Sequence, residues 1–200
     1  MPVSLRTLQA HTMEIAVREA TTEDIPQIVQ IMNHYIRNSV ASFRTELLTP
    51  ESYLAIWNNV ESQHLPFFVA IKDQDENHVL GFSYASGFRM PAFQAYHHTA
   101  EISVYVDQNA RTRGVGTKLM HNLMDALKNP TKADAPKTKQ VLSIMSVDVE
   151  GPGNGSGLRD WYGRWGFRQV GEMKKVGDKL GRIIDVLILQ ASFEDGEEGK

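Results

Sequence analysis

Ile102-Ser103-Val104-Tyr105-Val106 is an alternating, β-branched run, and it is followed closely by Arg111-Thr112-Arg113-Gly114-Val115-Gly116. Beyond Thr117, the residues Leu119, Met120, Leu123, Met124 and Leu127 recur at helical spacing until Asn129-Pro130 stops the pattern. Strand, glycine turn, helix is the order that decides the fold. Backbone N–H groups at a helix start attract phosphate, and Gly114 and Gly116 let the main chain approach one with no side chain between. Two rival phosphate motifs fail. The third glycine of a dinucleotide fingerprint would fall at Leu119, and Gly116-Thr117-Lys118-Leu119 lacks the Gly-Lys-Ser/Thr ending of a nucleoside-triphosphate loop. A glycine turn that merely joins strand to helix is the plain alternative, and Arg111 and Arg113 favour the phosphate.

Working outward toward the N-terminus, Phe67 to Ile71 and Val79 to Tyr84 read as strands, with Lys72 to His78 as the hairpin turn between them. Thr49-Pro50-Glu51-Ser52 starts a helix that continues through Leu54, Ile56, Trp57 and Val60. Ile25, Ile28, Val29, Met32, Tyr35 and Ile36 form the apolar stripe of an earlier helix, preceded by the strand Glu14 to Arg18. Toward the C-terminus, Val141 to Val149 is a central strand, and a helix between it and the strand at Ile102 implies parallel pairing. Gly151 to Gly157 reads as a flexible loop, Asp160 to Trp165 as a short helix, and Ile184 to Leu189 as the last strand. The expected class is α/β, a mixed central sheet flanked by helices, in one domain over residues 14–190. Residues 1–13 are expected to be a flexible extension and 191–200 an acidic flexible tail.

Composition narrows the function. With 21 Lys and Arg against 24 Asp and Glu, the formal charge of −3 offers no general attraction to nucleic acid or anionic membranes. Cysteine is absent, which excludes disulfides, thiolate catalysis and cysteine-ligated zinc. No run approaches the length of a membrane span and no secretory signal is evident, so a soluble, cytoplasmic protein is expected, with neither metal nor nucleic acid nor membrane as partner.

The loop at 111–116 matches the pattern Gln/Arg-x-x-Gly-x-Gly/Ala between a strand and an amphipathic helix, and so resembles the GNAT superfamily of N-acetyltransferases. Tyr96-His97-His98-Thr99-Ala100-Glu101-Ile102, Gly166-Phe167, Val176-Gly177-Asp178-Lys179-Leu180-Gly181-Arg182 and Ile31-Met32-Asn33-His34-Tyr35 sharpen the resemblance to the phosphinothricin and methionine sulfoximine acetyltransferases. It runs from about Ile15 to Gln190. What it implies is the GNAT acyl-coenzyme A N-acyltransferase fold, acetyl-coenzyme A as co-substrate, a small amino-acid-like amine as acceptor, and a homodimer. The chain departs from the family at the lysine-rich insert Thr131 to Lys139 and at the glycine-rich stretch Pro152 to Gly157, where relatives start a helix with Asn-x-x-Ser.

Acetylation needs a neutral amine, yet a free amine is mostly ammonium near neutrality, so a base must take a proton. The resemblance puts Glu101 in that role, with His98 as the second candidate. His97, next along the expected strand, should point away from His98. Charge then grows on the carbonyl oxygen and the departing sulfur. Backbone at Val104, Tyr105 and Val106 is the candidate donor for the first, and Tyr162, in a Tyr-x-x-x-Gly-Phe segment, for the second; many phosphinothricin-type relatives carry histidine at this last position. Arg111, Thr112, Arg113, Gly114, Val115, Gly116 and Thr117 are expected to hold the coenzyme, with Asn154 as a further ligand. Arg89 is the candidate cation for an acceptor carboxylate, Phe43, Glu46 and Tyr96 line the acceptor pocket, and Lys179 and Arg182 reach it from the partner subunit. A non-catalytic acyl-coenzyme A sensor, or transfer to a different amine, is the alternative.

Overall fold

The computed structural model describes residues 14–72 and 75–193. The expected extension at 1–13, and the acidic tail from residue 194 onward, lie outside these. Strand β1 (Ile15–Glu19) leads through a short 3-10 turn into helix α1 (Ile25–Asn38). The entry is held by Asp24, whose carboxylate takes two bonds from the Arg18 guanidinium at 2.7 and 2.8 Å and one from the Thr21 N–H at 2.8 Å. Burial alone would raise this carboxyl; Arg18 and Thr21 outweigh it and hold it below the usual range. Helix α2 (Pro50–Glu61) starts on a Thr49/Ser52 capping box. Strands β2 (Phe67–Lys72), β3 (Asp75–Gly87) and β4 (Thr99–Val106) follow, then α3 (Val115–Lys128), β5 (Gln140–Ser146), α4 (Ser156–Gly163), β6 (Arg168–Lys179) and β7 (Arg182–Ser192).

The strands form one sheet in the order β1-β2-β3-β4-β5-β7-β6, antiparallel except for the parallel pair β4 and β5, where the crossover helix predicted it. A Cβ on Gly81 would lie 3.2 Å from Leu119 of α3, whereas the next residue, Phe82, meets Tyr53 of α2 edge to face. Successive strand side chains point to opposite faces, so α2 and α3 cover opposite sides of the sheet. An aromatic layer of Tyr53, Trp57, Phe67, Phe82, Tyr84 and Tyr105 fills the α2 side.

Several stretches differ from the sequence expectation, among them β5, which ends at Ser146 instead of Val149. The hairpin turn is shorter, because Lys72 already pairs with Asp75 and the Gln27 side chain of α1 bonds the backbone of Asn77 and Val79, drawing polar residues into β3. The glycine-rich stretch at 152–157 is packed rather than loose: a Cβ on Gly155 would meet Val147 at 2.7 Å, and one on Gly157 would meet the Pro152 carbonyl at 2.8 Å. A 3-10 turn (Pro152–Gly155) therefore runs directly into α4, which starts at Ser156 instead of Asp160. Strand β6 escaped the periodicity because it is a mostly exposed edge strand with no alternating apolar face, and β7 extends to Ser192, past the expected domain boundary.

Candidate active site

Strands β4 and β5 pair only at Thr99 with Gln140, Ala100 with Val141 and Glu101 with Leu142. Beyond these, β4 stays on β3 through Val106 and β5 stays on β7 through Ser146, so the two diverge. A V-shaped cleft of about 430 Å³ opens between them, with Glu101 at its apex. The facing edges of β4 and β5 carry backbone groups freed from the ladder and available to a bound molecule. Val104, Tyr105 and Val106 line one wall; Ser143 and Tyr162 line the other.

The mouth of the cleft is the start of α3, where Gly114, Val115, Gly116 and Thr117 all line the cavity. No side chain caps this helix and no acidic residue stands in its first turn, so its leading N–H groups are unclaimed and its positive end is uncompensated. Gly114 has φ of +84°, which only glycine adopts freely. A Cβ at Gly116 would make ordinary contacts at 3.5 and 3.7 Å, so this second position would accept alanine. Arg111 and Thr112 complete the mouth, with the Arg111 guanidinium 5.2 Å from the Tyr35 ring centre. The Tyr35 hydroxyl donates to the Val106 carbonyl at 2.8 Å and fastens α1 to the end of β4. This assembly fits a pyrophosphate. Arg113 is exposed beside it, and Asn154, in left-handed backbone at φ of +52°, is exposed on the turn before α4 and does not line the cleft.

Glu101 is half-buried, and burial raises its carboxyl above the usual range. A weaker acid in the apex is a stronger base when ionised. Tyr162 is 6% exposed, its ring edge-on to Trp161 and Phe167, and burial raises its phenol although the Ser143 hydroxyl partly offsets this. It therefore stays protonated and able to donate. His97 and His98 fall in the turn before β4, so strand alternation does not apply to them: their rings meet edge to face at 5.1 Å. The His98 carbonyl accepts from the Lys139 and Gln140 N–H groups. Among the described residues, no group of three or more His, Asp or Glu could hold a metal, and no helix is long and apolar enough to cross a membrane.

On the α2 side of the apex the residues are drawn from distant segments. The Arg89 guanidinium stacks 4.3 Å from the Phe93 ring centre, and Tyr96 lies edge-on to Phe88, so both serve the conformation of their own loop. Burial raises the Tyr53 and Tyr84 phenols, and the charge of the exposed Arg44, a residue no sequence motif marks, offsets part of this. Tyr53 is 1% exposed and its hydroxyl has no hydrogen-bond partner among the described residues. A buried, unpaired hydroxyl costs about 1–3 kcal/mol, and it marks this tyrosine-walled floor as a place for a polar ligand atom. Phe43 lies over Gly177, Glu46 is exposed in the same loop, and Asn33 holds the loop's far end through paired bonds of 2.9 Å to the Leu48 N–H and carbonyl. Lys179 turns into its own chain, onto the carbonyls of Tyr35, Ser39 and Ser42, and burial lowers its ammonium pKa. Arg182 pairs with Asp148 at 2.7 Å and Glu150 at 3.1 Å, tying down the stretch after β5.

The family model for GNAT acetyltransferases matches residues 29–135. The phosphinothricin N-acetyltransferase of Streptomyces coelicolor is 31% identical over 176 residues, which is 88% of this chain and 94% of that protein. The L-methionine sulfoximine/L-methionine sulfone acetyltransferase of Pseudomonas aeruginosa is 28% identical over 91% of this chain and 96% of its own length. Among solved structures, a GNAT superfamily phosphinothricin acetyltransferase from Sinorhizobium meliloti, in complex with acetyl-coenzyme A, superposes with a TM-score of 0.76 at 24% identity, over 94% of this chain and 93% of that one.

Proposed function

The chain belongs to the GNAT family of acetyltransferases, and from that premise we propose that it moves an acetyl group from acetyl-coenzyme A to the primary amine of a small amino-acid-like molecule, by direct attack with both substrates bound. The acyltransferase activity and its donor follow from the family; the acceptor class is supported by relatives that act on phosphinothricin and methionine sulfoximine. The observation that carries the reading is the parting of β4 from β5 after Glu101, which opens a cleft lined by a phosphate-binding helix start and a buried phenol, with the raised Glu101 carboxyl on the residue just before the β4 wall begins at Ile102.

The uncapped N–H groups of α3 at Gly114 to Thr117, with Arg111, hold the pyrophosphate. Acetyl-coenzyme A supplies the activated acyl group. Backbone N–H groups on the free edge of β4, at Val104 and Val106, donate to the acyl oxygen as its negative charge grows. Glu101 takes the proton of the acceptor ammonium, directly or through a water, so that the nitrogen can attack. Tyr162 donates its phenol proton to the departing sulfur. The exposed Arg44, in the loop after α1, receives the acceptor's anionic group. A mostly exposed edge strand, β6, bearing Val170, Met173 and Val176, offers the face for a homodimer.

The test is to incubate the protein with acetyl-coenzyme A and a panel of amines while following free thiol release. The panel holds phosphinothricin, methionine sulfoximine, ordinary amino acids and decarboxylated analogues. Turnover confined to carboxylate-bearing amines is expected. Binding of acetyl-coenzyme A with no turnover on any amine would make the chain a sensor.

A further inference from the structure

The last hairpin reaches across the molecule to the loop that follows α1. Lys179, at the end of β6, is 7% exposed, and its Nζ donates to the carbonyls of Ser42 at 2.5 Å, Ser39 at 2.8 Å and Tyr35 at 3.4 Å. An ammonium has three N–H donors and no acceptor, so these carbonyls saturate it. They belong to the last turn of α1 and the chain just beyond it, at the negative end of the helix; the Tyr35 carbonyl also accepts from the Ser39 N–H, at 3.1 Å. Nearby on the same strand, Gly177 leaves room for Phe43: a Cβ there would stand 2.5 Å from the ring. Hairpin and loop thus interlock by charge at one point and by shape at another.

The fastened segment serves the cleft directly. Ala41 forms part of the cleft wall, and the Ser42 hydroxyl accepts from the Arg44 N–H at 3.3 Å, so the latched chain carries both a cleft residue and the Arg44 backbone. Among the described residues, the side-chain hydrogen bonds of β6 reach its own hairpin, the last turn of α1 and the chain after it, not α3 or α4. We propose that Lys179 is a positioning residue for the acceptor amine: by latching residues 39–44 to the β6–β7 hairpin, it fixes Arg44 and the tyrosine floor and so sets acceptor affinity without touching the acceptor. This rests on the acetyl-transfer reading above.

The experiment uses the full chain with Lys179→Met, Lys179→Arg and Gly177→Ala. It measures steady-state kinetics on the best amine of the panel, acetyl-coenzyme A affinity, and backbone hydrogen exchange over residues 39–46. Displacing a contact by about an ångström can cost up to about a hundredfold. An acceptor KM raised about tenfold or more is expected for Lys179→Met, with acetyl-coenzyme A affinity unchanged and faster exchange confined to 39–46. Lys179→Arg, which keeps the charge, recovers part of the loss, and Gly177→Ala, which displaces Phe43 with the lysine intact, shows the same KM signature. Equal changes for both substrates, or unaltered exchange at 39–46, overturns the proposal. If the unmodified protein acetylates no amine, the functional reading fails, and the exchange measurement still decides the latch. If Lys179→Met does not fold, Gly177→Ala carries the decision.

Discussion

The donor and acceptor halves of the cleft are built in opposite ways. The donor half is one continuous segment, from the end of β4 through Arg111 to the first turn of α3, and its binding groups are main-chain N–H groups set by a glycine at φ of +84°. The acceptor half is collected from α1, the loop after it, α2, β3, β4 and β6, and its polar groups are side chains: Glu101, Arg44, the tyrosine hydroxyls and, behind them, Lys179. A continuous backbone site resists side-chain drift but depends on the left-handed backbone of a single glycine, Gly114. A collected side-chain site can change its ligand through a single residue, because no one group carries the whole of it. One cleft thereby keeps a constant donor while leaving the acceptor open to variation.

The sharpest break between the halves is Glu101→Gln. Removing a general base typically costs about 10²–10⁴-fold in rate, so kcat should fall by at least about a hundredfold while acetyl-coenzyme A affinity holds, measured by thiol release and titration. Glu101 must be ionised to act and burial raises its carboxyl. Activity should therefore fall with acidification at a pH above the ordinary glutamate value of about 4.3, and that acid limb should vanish in the variant. Near-normal turnover would remove Glu101 from the role.

Gly114→Val tests the donor half alone. A β-branched residue is strained at positive φ and would project into the phosphate mouth, so the acetyl-coenzyme A KM should rise about thirtyfold or more with the acceptor KM little altered. Gly116→Ala, where contacts remain ordinary, should be mild by comparison. A smaller effect is expected for Tyr162→Phe, about a tenfold loss in kcat near neutral pH. Burial keeps this phenol protonated, and a thiol ionises near pH ~8.5 without help, so the deficit should narrow as pH rises. An unchanged rate at all pH values would make Tyr162 structural.

The smallest expected difference separates two arginines. Arg44→Gln should raise the acceptor KM about fivefold, whereas Arg89→Gln, whose guanidinium rests on Phe93, should leave it nearly unchanged. The reverse order would return the carboxylate to the β3–β4 loop.

Much of the donor half was legible before any coordinates, because glycine positions, a strand before them and an apolar stripe after them are local signals that survive in a linear string. Parallel pairing of β4 and β5 followed from the same order. The parting of those strands after Glu101 was not legible, since nothing in the alternation at Ile102 or Val141 says where a ladder stops. His97 and His98 were read as strand and proved to be turn, because the pattern does not mark where β4 begins. The glycines at 155 and 157 carry no sequence signal of being packed, because their crowding against Val147 and the Pro152 carbonyl shows only in the folded chain.

What the sequence by itself determined is the strand, glycine turn and helix that bind the donor, and the family to which their order points, because those depend on neighbours in the chain. Only the tertiary structure decided that the sheet opens beyond Glu101, that the Arg89 guanidinium rests on Phe93, and that Lys179 holds its own chain's loop. Each depends on which distant segments share one small volume, and burial there, rather than residue type, sets how each charge behaves.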